Sequence, residues 1–148
     1  DFKNPSFKKN TSYQRGKLMP LIYGATSRAI IMQITGKRLE NLIDLENFKS
    51  DEDKNNFLKD LKIDRKKGYC FTEGQVDKGL IGFAVSISNK KLGIEASLSS
   101  IFNLDDFLLE HEPIIYANLT TYGFLVEKYI NDIFDDIQNY HDETNSIR

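Results

Sequence analysis

The sequence has 148 residues, which is the usual size of one globular domain. Hydrophobic residues make up 40% and charged residues 28%, so the chain can form a core and general disorder is excluded. The 20 basic and 22 acidic side chains give a net charge of −2, which argues against a nucleic-acid-binding surface in these residues. The single cysteine excludes a disulfide framework within the chain and is typical of a cytoplasmic protein. No apolar run approaches the ~20 residues of a membrane span.

Residues 1–19 are predicted to form a loop, because turn-forming side chains dominate and apolar side chains show no regular spacing. The segment also carries five basic residues: Lys3, Lys8, Lys9, Arg15 and Lys17. Such a run can contact phosphate, although a solvated flap is the more frequent outcome. The chain begins at Asp1 rather than Met, so we expect it to be part of a longer protein.

Helical patterns follow the loop. Thr26 or Ser27 can cap a first helix, and Gly36 is expected to end it. Four apolar residues at helical spacing predict a short second helix (Leu39, Leu42, Ile43 and Leu45).

A third predicted helix has the clearest boundaries. Ser50 and Asp53 resemble a capping box, and Gly68 follows two lysines as a helix stop. Three acids in the first turn suit the positive end of the helix dipole. Its predicted buried stripe consists of Phe57, Leu58, Leu61 and Ile63.

The middle of the chain changes to the period of β-strands. Residues 69–73 are short, aromatic and β-prone, and a polar loop at 74–79 follows them. Residues 80–88 and 94–101 alternate, with a turn near Gly93 between them, which predicts a hairpin. One face of the first hairpin strand is apolar (Ile81, Phe83, Val85 and Ile87), and the other is small (Gly82, Ala84, Ser86 and Ser88). The small face can host a ligand cup or meet solvent.

The last third is predicted to be helical. Asn103 can cap a helix over residues 104–109, and Pro113 can stand in the first turn of a long amphipathic helix. Its apolar positions recur every three or four residues (Ile115, Leu119, Tyr122, Val126, Ile130, Ile133, Phe134 and Ile137). Residues 141–148 are read as a polar tail. The fold class is therefore α+β: one domain, residues 1–148, with helices packed on an antiparallel sheet.

Four segments resemble motifs of the IclR family of bacterial transcription regulators, in the family's order. Pro20–Ile31 is similar to PLHATALGKALL, with Gly16 four residues before it, and Arg65–Cys70 is similar to RERGYA. Glu73 with Gly79–Val85 resembles an acidic loop followed by GVSCIAAPV, and Glu95–Ser99 resembles AALSVSG. The resemblance spans roughly residues 16 to 101, and each motif alone is weak.

The resemblance implies the C-terminal effector-binding domain of such a regulator, which has a GAF-like fold. By comparison with the family's effector domain, we expect this chain to lack the opening strands of that domain. DNA would be bound only by an N-terminal winged helix-turn-helix outside these residues. The family also implies a dimer or tetramer, a small-molecule effector and no membrane partner.

The resemblance also implies a set of ligand-binding residues in a cup on the sheet. The turn before the first helix would supply one wall, and four family positions would fall on the strands. The set is Tyr23, Gly24, Ala25, Thr26, Thr72, Gly82, Ser97, Ser99 and Ile101. Backbone N–H groups at the helix entry could hold a carboxylate. Of the four family strand positions only Ser99 keeps its side chain; glycine for cysteine at Gly82 should widen the cup.

The remaining polar residues give no catalytic or metal constellation. Cys70 has no histidine near it in sequence to activate it, and His111 and His141 lie too far apart for metal-ligand spacing. We therefore expect no enzyme, no metal and no cofactor. Ser97 and Ser99 could bind a ligand or face water.

Three functions stay open from the sequence. The first is the ligand-sensing and oligomerisation domain of an IclR-like regulator, in which an effector shifts the population of dimer arrangements. The second is an oligomerisation domain whose pocket has decayed. The third is a GAF-like sensor or enzyme unrelated to DNA.

Overall fold

The structure, a computed structural model, describes residues 11–146, with side chains described up to residue 135. The order of elements is α1 (Ala25–Ile31), α2 (Gly36–Leu45), α3 (Asp51–Lys67), β1 (Cys70–Glu73), β2 (Leu80–Asn89), β3 (Ile94–Asn103) and α4 (Glu112–Ser146). The predicted α+β class is confirmed. None of the helices in the described part is long and apolar enough to cross a membrane.

The three strands form an antiparallel sheet in the order β1-β2-β3. Thr72 of β1 lies opposite Gly82 of β2, and Gly82 also lies opposite Ile101 of β3. The predicted hairpin of β2 and β3 is confirmed, and its register places the three residues side by side on one face. The pairing therefore assembles one patch from three separate motifs.

The apolar face of the sheet packs against α4. Phe83 is fully buried and Val85 nearly so, and both lie in one cluster with Leu119 of the helix. Gly123 lies close to the sheet, since a Cβ on it would lie 3.1 Å from Cγ2 of Val85. Glycine at this position lets the long helix lie close to the sheet.

The small face of the sheet packs against α1, so both faces are covered by helices. Ala25 and Ala29 of α1 are buried against Cys70 and Ala84 of the sheet. The hydroxyl of Ser86 donates a hydrogen bond to the Ala29 carbonyl at 2.6 Å. Small side chains on both sides allow this close contact, and the sheet does not meet solvent there.

The boundaries of α3 agree with the prediction. The Ser50 hydroxyl accepts a hydrogen bond from the Asp53 N–H at 3.1 Å, and three acids occupy the first turn. The helix ends at Gly68, whose φ of 83° is left-handed and suits a residue without a side chain. Both signals come from neighbouring residues, so they can be predicted from the sequence alone.

Other boundaries were predicted wrongly. The first helix is preceded by Gly24, with φ 83°, and neither Thr26 nor Ser27 caps it. Gly36 begins α2 instead of ending α1. Asn103 does not cap an α-helix, because two short 3₁₀ turns, Leu104–Asp106 and Leu109–His111, stand there.

Two predicted buried stripes were partly wrong. In α3 the predicted Leu58 and Ile63 are 36% and 51% exposed, whereas Phe57 and Leu61 are buried. In α4 the predicted Tyr122, Val126 and Ile133 are 61%, 38% and 40% exposed, whereas the predicted Leu119 is buried. Residues 141–146, read as a tail, continue α4, while 1–10 and 147–148 lie outside the described residues.

Candidate functional site

A small cavity lies between the start of α1 and the small face of the sheet; we call it the cup. Its volume is about 20 Å³, enough for one water molecule. Organic ligands usually occupy pockets of roughly 300–1,000 Å³. The lining residues are Tyr13, Gly24, Ala25, Thr26, Thr72, Gly74, Gln75, Val76, Asp77, Leu80, Ile81, Gly82 and Ile101. In this structure the cup is therefore closed to a metabolite.

Most of the residues predicted for a ligand site meet at the cup. Six of the nine line it: Gly24, Ala25, Thr26, Thr72, Gly82 and Ile101. They come from four separate segments: the entry of α1 and the three strands, whose antiparallel register joins Thr72, Gly82 and Ile101. The structure thus brings together the helix entry and the strand positions that the sequence suggested separately.

The other three predicted site residues do not line the cup. Tyr23 packs on the core cluster of α2 and α3, with its hydroxyl 3.5 Å from Asp53 Oδ2. Ser97 and Ser99 lie opposite Ser86 and Ala84, further along β3 and half-buried. A direct ligand contact at these three positions has no support from the cavity.

Side chains already satisfy the N–H groups at the entry of α1. The Ala25 N–H donates to Thr72 Oγ1 at 3.0 Å, and the Gly24 N–H donates to Gln75 Oε1 at 3.1 Å. A carboxylate at this position would first have to displace Thr72 or Gln75. The prediction that backbone N–H groups at the start of α1 hold a carboxylate therefore requires a rearrangement that the structure does not show.

Gly82 does not enlarge the cup as expected. A Cβ on Gly82 would lie 3.3 Å from Thr72 Oγ1 and 3.4 Å from the Ala25 Cβ. The space beside Gly82 is occupied by Thr72 and by Ala25 of α1. Gly82 thus allows α1 to pack close to the sheet and does not add space for a ligand.

Tyr13 closes the cup, and the sequence analysis missed it. Its hydroxyl reaches the start of α1, where a Cβ on Gly24 would overlap it and would also lie 2.8 Å from Val76 Cγ2. The hydroxyl is hydrogen-bonded to Thr26. Burial raises the pKa of Tyr13, the Thr26 hydrogen bond opposes this, and the nearby Asp77 charge adds to the increase. The phenol is thus neutral and half-buried.

Asp77 clamps the segment that carries Tyr13, residues 11–17, which we call the strap. Its carboxylate accepts hydrogen bonds from the Ser12 N–H at 2.7 Å, from the Ser12 hydroxyl at 2.5 Å and from the Thr11 hydroxyl at 3.3 Å. Burial raises the pKa of Asp77, but these bonds and the charge of Lys17 outweigh it, so the pKa lies below its usual value. The charged carboxylate is the form that holds the strap.

The strap is therefore not the solvated flap that its basic residues indicated. Arg15 and Lys17 are exposed, but Ser12 and Tyr13 are half-buried against the loop at 74–79. One signal was available, since Tyr13 is the only apolar side chain between Phe7 and Leu18. Val76 is likewise the only large apolar side chain in its loop. An isolated apolar residue in a polar segment marks a place where the segment can dock.

A buried ion pair fixes the cup's helical wall. Arg28 of α1 and Asp64 of α3 are both 4% exposed, and Arg28 Nε donates to Asp64 Oδ2 at 2.8 Å. Arg28 also donates to Asp60 at 3.2 Å and to the Phe71 carbonyl at 3.4 Å. The pair ties α1 to α3 and β1.

Catalytic chemistry finds little support around the cup. Burial and the adjacent Asp64 raise the pKa of the Cys70 thiol, so it stays protonated and unreactive. Among the described residues no three His, Cys, Asp or Glu side chains lie close enough to hold a metal ion.

No protein-family model and no curated protein matches the chain by sequence. Solved structures match it by fold. An IclR transcriptional regulator from Alicyclobacillus acidocaldarius is 18% identical with a TM-score of 0.65, covering 75% of this chain and 46% of that one. The C-terminal domain of the E. coli transcriptional regulator KdgR is 20% identical with a TM-score of 0.62, covering 74% and 70%.

A third match carries a ligand. It is a double mutant of the inducer-binding domain of the Acinetobacter transcription factor PobR, in complex with 3-hydroxybenzoic acid. It is 16% identical with a TM-score of 0.61, covering 74% of this chain and 66% of that one. The chain spans about half the length of four of the matched regulators, between 46% and 52% of each. The chain thus has the fold of the C-terminal domains of IclR-family transcriptional regulators, as the sequence motifs had indicated.

Proposed function

We propose that this chain is the effector-sensing domain of an IclR-like transcription regulator and that the effector binds at the cup. The observation that carries the proposal is the meeting of six predicted site residues at one cavity between α1 and the sheet. The matched PobR domain, of the same fold, is an inducer-binding domain in complex with a hydroxylated aromatic acid. A small organic effector is therefore the partner that we infer for this chain.

The mechanism that we infer is a population shift. An effector that prefers one arrangement of α1 and the strap over another stabilises that arrangement by its differential affinity. DNA would be contacted by a winged helix-turn-helix outside this chain, which agrees with the net charge of −2. The function is regulatory and not enzymatic, and the site of action is the cytoplasm.

Thermal unfolding tests the proposal. Hydroxylated aromatic acids, aliphatic acids and sugars are added to the chain, and an effector should raise the Tm by linkage. Ile101→Phe should abolish that increase, because it fills the cup. Ile114→Phe, at a position 63% exposed on α4, is the matched control and should keep the response. A flat Tm across the library, or a response that survives Ile101→Phe, would contradict the proposal.

A second candidate is an oligomerisation domain without a ligand, and two observations favour it. The cup is filled by the chain's own side chains. In addition, α4 carries a stripe of exposed apolar side chains: Tyr122 at 61%, Leu125 at 50%, Tyr129 at 67% and Ile133 at 40%. Exposed apolar patches of this kind often mark protein interfaces.

Light scattering coupled to size-exclusion chromatography separates the two candidates. If the stripe mediates self-association, Tyr129→Lys should reduce the oligomer to a monomer. Thr120→Lys, on the opposite exposed side of α4, should leave the mass unchanged. A monomeric wild-type chain would contradict the oligomerisation role and leave ligand sensing intact. A dimer with no effector would support the second candidate over the first.

A third reading, a sensor unrelated to DNA, makes a different prediction about the gene. The coding sequence upstream of Asp1 should encode a winged helix-turn-helix if the regulator proposal is correct. Another kind of domain there would overturn the link to DNA and leave the fold assignment unchanged.

A further inference from the structure

Tyr13 occupies the cup in the way that a ligand would. Its hydroxyl lies beside Gly24 together with Cγ2 of Val76, and the hydroxyl is hydrogen-bonded to Thr26. Thr26 and Gly24 are residues that the sequence motifs predict for an effector site. The remaining free volume of about 20 Å³ shows how completely the cup is filled.

Tyr13 is held in place by hydrogen bonds of the neighbouring strap residues. The strap is fastened by Thr11 and Ser12, and both donate to the single carboxylate of Asp77. The loop that carries Asp77 also supplies Val76 against Gly24 and Gln75 to the Gly24 N–H. The lid of the cup therefore consists of two polar segments joined at one titratable group. Few buried apolar contacts hold such a lid, so local opening costs far less than unfolding.

We propose that Tyr13 is an internal ligand: the cup is a binding site for a phenol, and the chain's own phenol occupies it until an effector of that class displaces it. The inference rests on the proposed function and deepens it by naming the chemical class. The lining of the cup combines apolar side chains, such as Val76, Leu80 and Ile101, with polar ones that include Thr26. This combination suits a flat ring with one hydroxyl group. Opening of the strap then limits the apparent affinity, since a competent state that is rarely populated weakens binding by the same factor.

Chemical rescue tests the proposal. Tyr13→Gly removes the phenol and leaves a cavity shaped like p-cresol, which is the tyrosine side chain with a hydrogen atom in place of the backbone. Buried cavities created by truncation do bind matching rings. At a p-cresol concentration ten times the dissociation constant, the unfolding equilibrium constant of Tyr13→Gly should fall by about 11-fold. The wild-type chain should show little change at that concentration, because its own phenol competes.

Controls separate a phenol site from general cavity binding. Toluene has the same shape without the hydroxyl and should stabilise Tyr13→Gly less. Tyr23→Gly opens a half-buried position outside the cup and should not respond to p-cresol. An equal response to toluene, an equal response of Tyr23→Gly, or wild-type stabilisation equal to that of Tyr13→Gly would each overturn the proposal.

A second variant keeps the test valid if Tyr13→Gly does not fold. Thr11→Val with Ser12→Ala weakens the strap's hold on Asp77 and leaves every residue of the cup in place. This double variant should bind p-cresol more tightly than the wild-type chain, and equal affinity would contradict Tyr13 as an internal ligand. The result is independent of the library screen above. If p-cresol stabilises Tyr13→Gly but no metabolite of the library raises the Tm, effector sensing is overturned and the internal ligand is not. If a metabolite raises the Tm while Tyr13 stays in place, the internal ligand is overturned and effector sensing is not.

Discussion

The substitution Arg28→Met should destabilise the chain strongly. Arg28 and Asp64 are each 4% exposed, and the guanidinium donates to the carboxylate through Nε at 2.8 Å and also through the NH2 nitrogen. Met is close in length to the aliphatic part of arginine and leaves the packing nearly unchanged. The substitution therefore isolates the effect of a buried carboxylate that has lost its counter-charge.

The magnitude follows from burial. Breaking one partner of a buried ion pair costs about 3–5 kcal/mol, because the remaining charge stays desolvated. An exposed pair contributes only about 0–1 kcal/mol. Replacing both charges, as in Arg28→Met with Asp64→Leu, removes the uncompensated charge and should recover most of the loss.

Urea denaturation followed by circular dichroism measures these differences. Arg38→Met is the matched control, since Arg38 pairs with Glu95 at the surface and its side chain is 66% exposed. The control should lose about 1 kcal/mol or less. In Arg28→Met the unpaired Asp64 should take up a proton readily, so the deficit should shrink as the pH falls toward 5. A loss in Arg28→Met no larger than in the control, or a double variant that loses more than the single one, would show that an uncompensated buried charge at Asp64 is not the cause of the destabilisation.

Three further predictions concern other parts of the fold. Ser50→Ala removes the N-cap of α3 and should lower the free energy of unfolding by about 1 kcal/mol in urea titrations; a change near zero would contradict the cap. Leu119→Ala, at a position 5% exposed, should cost about 2–5 kcal/mol, while Leu125→Ala, 50% exposed, should cost much less. The pKa of Asp77 is lowered by the strap, so the strap's contribution is present above the unfolded pKa of about 3.9 and is lost as the pH falls through the lower folded value. NMR signals of the Tyr13 ring should shift toward an exposed tyrosine over that acid range, and a ring that stays buried through it would contradict the clamp.

The elements that could be predicted from the sequence are those whose signals lie in neighbouring residues. The cap at Ser50 and the stop at Gly68 need only a few neighbouring residues, and both stand where they were predicted. The alternation of residues 80–88 and 94–101 fixed the hairpin, and with it the register that joins Gly82 to Ile101. The nine candidate ligand positions came from the resemblance to IclR motifs, and six of them line the cup.

Features that depend on distant contacts could not be predicted. Gly36 fits the end of one helix as well as the start of the next, and only packing decides between them. The strap is held by Asp77, 65 positions after Ser12, so nothing near Ser12 in sequence indicates the contact. Charge patterning likewise could not distinguish Arg28, which is buried, from Arg38, which is exposed. Each of these outcomes is set by tertiary structure and leaves little local signal.

The position of a bound effector relative to Tyr13 shows whether the effector binds in the cup. NMR can follow the ring signals of Tyr13 and the methyl signals of Thr26 and Ile101, each assigned with a single substitution, while 3-hydroxybenzoate is added to the wild-type chain. We predict that the Tyr13 ring shifts toward solvent in proportion to ligand occupancy and that the ligand shows nuclear Overhauser contacts with Thr26 and Ile101. Saturable binding that leaves all three signals unchanged would contradict the cup as the effector site.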